Sequence, residues 1–289
     1  MSLQRIEAIV LRTTRYSETS IIAALYSRQL GRTAVIAKGA RKPGNKTAQA
    51  LQATHTISCI RYQGRSSDIK TVSQVELIAD RPEIAESPLL LGVAARGLEL
   101  VLYQTPPEEP SPSVYHLLHD FLGVLNGIPK GSARSLLLAF ELRLQRILGY
   151  GFTMGRCSRC GKSVSGFPLL LSAVAGGVLC PRCGEGEDVL VRIERSDYSF
   201  LDHLLQAPFS TWVKSRVDER RIAGIDTFVE RVWRYHSPGH KESASLLYLS
   251  DIEGNRYQNE KTHHVYTAIK PIGNYSSSSP TSNNGDARQ

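Results

Sequence analysis

RIEAIVLRTTRYSETSIIAALYSRQLGRTAVIAK, residues 5–38, contains three short runs rich in aliphatic and β-branched residues: 5–12 (RIEAIVLR), 20–27 (SIIAALYS) and 32–38 (RTAVIAK). Each has the length of one strand, and Leu30-Gly31 marks a turn after the second. Two further runs, 54–62 (THTISCIRY) and 69–77 (IKTVSQVEL), follow Pro43-Gly44-Asn45 and flank Gln63-Gly64. Five short strands within eighty residues suggest a small barrel or sandwich.

The charge of the same segment narrows the choice. Residues 1–80 hold twelve Lys/Arg against five Asp/Glu, which is nearly all of the chain's net +8. A cationic domain attracts polyanions because neutralised phosphates release condensed counterions. A solvated basic surface without a partner is the plain alternative, and charge does not separate RNA, DNA and anionic lipid. With that excess, a five-stranded OB-type barrel over 1–80 is the first choice, since this fold repeatedly binds oligonucleotides.

After Pro82 the periodicity becomes helical. Leu90, Val93, Ala94, Leu98, Val101 and Leu102 line one face of 83–104, and four prolines then interrupt TPPEEPSPS (105–113). Helices are expected at 114–126 and 135–148. In the second, Leu137, Phe140, Leu144 and Ile147 form a core stripe, with Glu141, Arg143 and Arg146 on the other face. Helical spacing resumes at 197–206 and 225–236, and more weakly at 241–249. The expected organisation is therefore α+β: a barrel, a helical domain over 81–252, and an extension over 253–289. The end of that extension, from 274, is polar and of low complexity, and is expected to be disordered. No apolar run reaches the roughly 18 residues that cross a bilayer, and Glu7, Arg12 and Arg15 break any signal-peptide core. A cytoplasmic protein is expected.

Segment 155–186 has its own chemistry. Cys157 and Cys160 form one C-x2-C pair, Cys180 and Cys183 another, nineteen residues apart. Such knuckles can aim four thiolates at one tetrahedral ion with Zn–S distances of about 2.3 Å. The reading is one structural Zn2+, because a four-sulfur shell leaves no open position for chemistry. An iron–sulfur cluster or a redox pair uses the same residues, and two disulfides would need an oxidising compartment. Gly161 and Gly184 each follow a second cysteine, where a positive φ is expected. Cys59 falls in a strand pattern and is expected as a small buried residue.

Candidate phosphate contacts concentrate in AKGARKPGNK (37–46), where Lys38, Arg41, Lys42 and Lys46 alternate with small residues and turn formers. Its order is not that of a P-loop. Arg32 shares strand parity with Lys38, and Arg28, Arg61 and Arg65 sit at strand ends or turns. Tyr26 and Tyr62 offer stacking faces for bases, although such tyrosines more often pack.

RIEAIVLRTTRYSETS…LGRTAVIAKGARKP, then FELRLQRILGY (140–150), then CSRCG…GGVLCPRC together resemble the bacterial RecO recombination-mediator family, in the same order across roughly 3–250. AKGAR (37–41) and the 140–160 junction are the most specific parts. The resemblance implies an N-terminal OB fold, a helical domain and a zinc-binding insertion. It implies binding of single- and double-stranded DNA, annealing of complementary strands and partnership with RecR. Together these load RecA onto strands coated by single-strand-binding protein, whose acidic C-terminal tail would dock on the helical domain. A nucleoid-associated cytoplasmic location would follow. Lys38, Arg41 and Lys42 carry over as DNA contacts and the four cysteines as ligands. YHSPGHKESASLL (235–247) resembles the family's later helical region, but Glu242 beside Lys241 weakens any second basic surface there. The extension past about 252 has no recognisable counterpart.

Three function classes remain distinct. A mediator that anneals strands needs no covalent chemistry, so no catalytic residue is expected. A hydrolytic enzyme lacks an acidic metal cluster: Glu7, Glu18, Asp68, Glu76 and Asp80 are scattered, and His203, His236, His240, His263 and His264 have no nucleophile motif around them. A zinc-ribbon adaptor that binds only protein, or a generic OB-type binder without annealing, is the alternative.

Overall fold

Alternation along the first strands gives the sheet one apolar face, and pairing of its two outermost strands closes that face inside a barrel. The computed structural model describes residues 2–63, 69–151, 154–185, 191–214, 219–237 and 244–252. Strands β1 (Ser2–Arg15), β2 (Ile21–Ser27), β3 (Gly31–Ala37), β4 (Thr56–Gln63) and β5 (Lys70–Ala79) form a closed barrel in the order β1-β2-β3-β5-β4. This is the OB-type arrangement. Every pairing is antiparallel except β3–β5, a short parallel seam at Val35↔Lys70 and Ile36↔Thr71. Ile6, Ala8, Val10, Ile21, Ala23, Leu25, Val35, Ile57 and Cys59 fill the interior. Alanines recur because a five-stranded barrel is narrow.

A register shift between Val10 and Arg12 of β1 changes what its outer face meets. Val10 points into the barrel while Ile9 and Leu11 join the helical core, with Tyr26 beside them. Strand alternation thus lets β1 serve two cores, and the bulge resets parity so that Arg12, opposite Ala24, continues the outer face. The four-residue helix α1 (Thr47–Ala50), which the sequence does not announce, leads into Leu51 at the end of the barrel core.

After β5 the chain enters α2 (Pro82–Glu86), α3 (Pro88–Gln104), α4 (Pro112–Leu125) and α5 (Ala133–Ile147). Two starts share one device. Ser87 and Ser111 accept hydrogen bonds from the N–H of Leu90 and Val114, and each is followed by a proline at the first helical position. A three-stranded sheet, β6 (Leu169–Ser172), β7 (Gly177–Leu179) and β8 (Val191–Ile193), is inserted with the short α6 (Pro181–Gly184). Helices α7 (Arg195–Gln206), α8 (Glu219–His236) and α9 (Ala244–Ile252) complete the domain.

Helix α5 departs from its expected two-faced character. Glu141 is 5% exposed, whereas Ile147, assigned to the core stripe, is 37% exposed. Arg96 of α3, 1% exposed, explains the first departure. Its Nε donates to Glu141 Oε1 at 2.8 Å and its Nη2 to Glu230 Oε2 at 2.9 Å, while Trp233 Nε1 donates to Glu141 Oε2 at 3.0 Å. Arg143 is likewise drawn inward: its guanidinium donates to the carbonyls of Leu204 and Ala207 and lies 4.4 Å over the Phe209 ring. Both faces of α5 are therefore covered.

The barrel is fastened to the helices by specific polar contacts. Tyr115 Oη donates to Glu7 Oε1 at 2.6 Å, and burial followed by that hydrogen bond pushes the Tyr115 phenol up. Arg81 donates to the Thr54 carbonyl and to Thr56 Oγ1. Among the described residues no helix is long and apolar enough to cross a membrane. The extension over 253–289 lies outside the described residues.

Candidate metal centre and nucleic-acid interface

The four cysteines meet. The sulfurs of Cys157, Cys160, Cys180 and Cys183 all lie within 4.8 Å of one another. A tetrahedral shell at 2.3 Å from its ion has sulfur–sulfur edges of about 3.8 Å, so the set needs little adjustment to close on a metal. The first pair is shaped by Gly161, at φ +70°, whose N–H donates to the Cys157 carbonyl at 2.9 Å. The second pair is closed by the N–H of Cys183 and Gly184, both donating to the Cys180 carbonyl. Gly184 corrects an expectation, because it has no positive φ. Its surroundings are tight instead: an ideal Cβ there would lie 2.0 Å from the Leu170 Cδ1 methyl, which would have to turn aside.

The chemistry of the cluster also fits a cation. Burial pushes the Cys157 thiol up, but the backbone N–H groups of Cys160, Cys180 and Arg159 outweigh it and bring it to about 6. Cys183 is instead pushed up to about 12, first by its hydrogen bond with Cys180. Four sulfurs this close cannot all be thiolates unless a positive ion sits among them. Between the knuckles the chain folds back as the antiparallel pair β6 and β7, and Leu169, Leu171, Val178 and Ile193 bury their side chains in the main helical core. Cys59, by contrast, is a buried thiol inside the barrel, pushed up to about 11 by burial.

The expected cations divide between two ends of the barrel. Register fixes the first end: Arg15 pairs with Ile21, and Ile21 with Ala37. The β1–β2 turn and the loop after β3 are therefore neighbours. Arg41 binds them together, its N–H donating to the Thr19 carbonyl at 3.0 Å and its guanidinium to the carbonyls of Ser17 and Glu18. Lys38, Lys42 and Lys46 project from this fastened loop as exposed residues. Two exposed neighbours on the β1 side, Arg15 and Tyr16, were not among the residues expected at the interface. For Tyr16 a sequence signal exists, since β1 parity continues through Arg12 and Thr14 to it.

Arg28, Arg32 and Arg61 belong to the opposite end. Arg32 is six residues along β3 from Lys38, or about 20 Å. Its Nε donates to the Thr105 carbonyl at 2.8 Å, and its own carbonyl accepts from Glu108 N–H. Arg61 is 5% exposed, pointing into the barrel mouth, where it meets Thr33 Oγ1 at 3.2 Å and Glu108 Oε1 at 3.4 Å. This corrects its expected place at the surface: strand parity turns it inward, and the loop at 105–110 covers it. Arg28 is exposed, close enough to Tyr115 to act on its phenol. Arg65 lies outside the described residues. Of the two tyrosines expected to stack, Tyr26 is fully buried and Tyr62 is 38% exposed near the 2–5 end of β1.

In the helical domain a cleft of about 320 Å³ is lined by Arg134, Arg231 and Arg234 together with Leu137, Leu246 and the acidic Asp226 and Glu230. Sequence patterning gives no sign of it, since its walls come from segments about a hundred residues apart.

Comparison with known proteins gives one consistent result. The family described as "Recombination protein O N terminal" matches residues 1–81, and "Recombination protein O C terminal" matches 85–244. A "DNA repair protein RecO" of Pelotomaculum thermopropionicum is 34% identical over 247 residues, covering 86% of this chain and 94% of the relative. One of Symbiobacterium thermophilum is 33% identical over 78% of this chain and 89% of its own. One of Syntrophotalea carbinolica is 34% identical over 63% and 70%.

Proposed function

The chain belongs to the RecO family of DNA repair proteins, and on that premise we propose that it works as a recombination mediator without covalent chemistry. It binds single- and double-stranded DNA through the barrel tip and anneals complementary strands. With RecR it helps load RecA onto strands coated by single-strand-binding protein. The observation that carries this reading is the tip itself: Lys38, Lys42 and Lys46 stand exposed on one loop, which Arg41 fastens to the β1–β2 turn. Fixed cations lower the repulsion between two phosphate backbones and raise local strand concentration, and base pairing supplies the specificity.

Zinc is the metal proposed for the four-cysteine cluster, because a closed tetrahedral sulfur shell is its usual structural site. Bound there, it would brace β6, β7 and α6 against the helical core. The cleft beside Leu137 and Leu246 is the proposed dock for the acidic C-terminal tail of single-strand-binding protein; Arg134 and Arg234 already pair with Asp226 and Glu230 there, so the exposed Arg231 is the cation its carboxylates would meet.

The direct test is annealing of two complementary fluorescent oligonucleotides, with and without cognate single-strand-binding protein, at two salt concentrations. Acceleration that fades with salt and persists on coated strands is expected. Strand binding without annealing would reduce the protein to a generic OB-type binder. Absence of binding would favour a zinc-ribbon adaptor that recognises protein alone.

A further inference from the structure

Two tyrosines beside the outer face of β1 hold their rings in solvent. Tyr16, just past the strand, is 65% exposed, and Tyr103 of α3 is 64% exposed. A lone exposed ring is common and carries no message by itself, so what surrounds these two decides. Both are set among cations. Arg12 Nη1 donates to Tyr103 Oη at 3.1 Å, Arg15 precedes Tyr16, and Lys38 follows the strand that pairs with β2. Arg12 and Tyr16 share strand parity four residues apart, which places them about 13 Å apart along one face.

The Tyr16 position is also held. Its N–H donates to the Ser20 carbonyl at 3.1 Å, closing the turn, and Arg41 grips the carbonyls of Ser17 and Glu18 from the basic loop. Glu18 is the one carboxylate in the turn. A ring on a clamped turn beside ammonium and guanidinium groups offers both interactions that an unpaired strand needs. The π-face accepts a base and the cations take the neighbouring phosphates. A paired base inside a duplex cannot reach such a face without leaving its stack.

We propose that Tyr16, with Tyr103 at the other end of the β1 face, stacks bases of single-stranded nucleic acid and so gives the barrel a preference for unpaired strands over duplex. This rests on the DNA-binding reading above and adds the residues that discriminate among DNA forms. Charge complementarity commits the face to a polyanion, and the two rings commit it to one with exposed bases. Annealing gains from this arrangement, because a base stacked on a single ring keeps its pairing edge open to the second strand.

The test is fluorescence anisotropy with an oligo-dT strand, an abasic strand of equal length and a duplex, for the wild type, Tyr16→Ala, Tyr16→Phe and Tyr103→Ala. Removal of the Tyr16 ring should weaken oligo-dT binding roughly tenfold, while Tyr16→Phe keeps it. Duplex and abasic affinities, and the salt dependence, should stay as in the wild type because every cation that neutralises a phosphate is still in place. Tyr16→Trp provides a second readout: its added indole emission should be quenched by oligo-dT and not by the abasic strand. If wild type binds oligo-dT but neither alanine variant is weakened and the indole is not quenched, stacking is refuted while DNA binding stands. If wild type binds none of the three nucleic acids, the underlying reading falls first.

Discussion

Arg96 carries its charge into the helical interior because three partners on two other helices are arranged for it: Glu141, Glu230 and, through Glu141, Trp233. Removing one member of such a buried set leaves the rest uncompensated. Arg96→Met should therefore lower unfolding free energy by about 3–5 kcal/mol in urea titrations, despite its similar bulk. Helical spacing puts Glu141 on a polar face and cannot name its partner, which lies 45 residues away on α3. His55 makes a second prediction at this scale. Burial lowers its imidazole below the usual range, opposed by the Ala50 carbonyl and Asp80, with Arg81 adding to the lowering. Since the unfolded chain takes up that proton more readily, stability is lost as pH falls below about 6.5 and levels off under the folded-state value. The melting temperature should thus drop less between about pH 7.5 and about pH 5.5 in His55→Asn than in the wild type.

At the scale of elements, the inserted ribbon shows how spacing and packing divide the information. Two C-x2-C pairs are enough to foresee that four sulfurs converge, because a knuckle is a local structure. The tight packing at Gly184 is not local: it comes from Leu170, on a strand paired with β7 and β8. The same sheet buries Leu169, Leu171 and Ile193 in the main core, so loss of a metal held by the four sulfurs should affect more than the ribbon. Replacing Cys157 and Cys180 with Ser should abolish bound zinc, measured by elemental analysis, and lower the melting temperature of the helical domain by several degrees. An unchanged melting temperature would show that the ribbon folds without metal. Acid should release the ion as well, because protons compete with it for thiolates.

For the whole molecule, the decisive fact is that the basic excess of the first eighty residues is not one surface. Composition can count those cations and strand parity can group some of them, but neither can see the loop at 105–110 closing over the far mouth of the barrel. There Gly31 leaves room for the Glu109 carbonyl, which stands 2.1 Å from where a Cβ would be, and Glu108 reaches Arg61. Arg61 is thereby committed to joining barrel and helices, whereas Lys38 and Lys42 remain at the free tip. Two variants separate these fates. Lys38→Glu/Lys42→Glu should weaken DNA binding and reduce the slope of log affinity against log salt by about two, one for each phosphate no longer neutralised, with melting unchanged. Arg61→Leu should leave that slope as it is. Its cost should appear as earlier melting, since Glu108 and Thr33 lose their partner at the domain junction. A salt slope that fell in Arg61→Leu and held in the double lysine variant would place the DNA at the opposite end of the barrel.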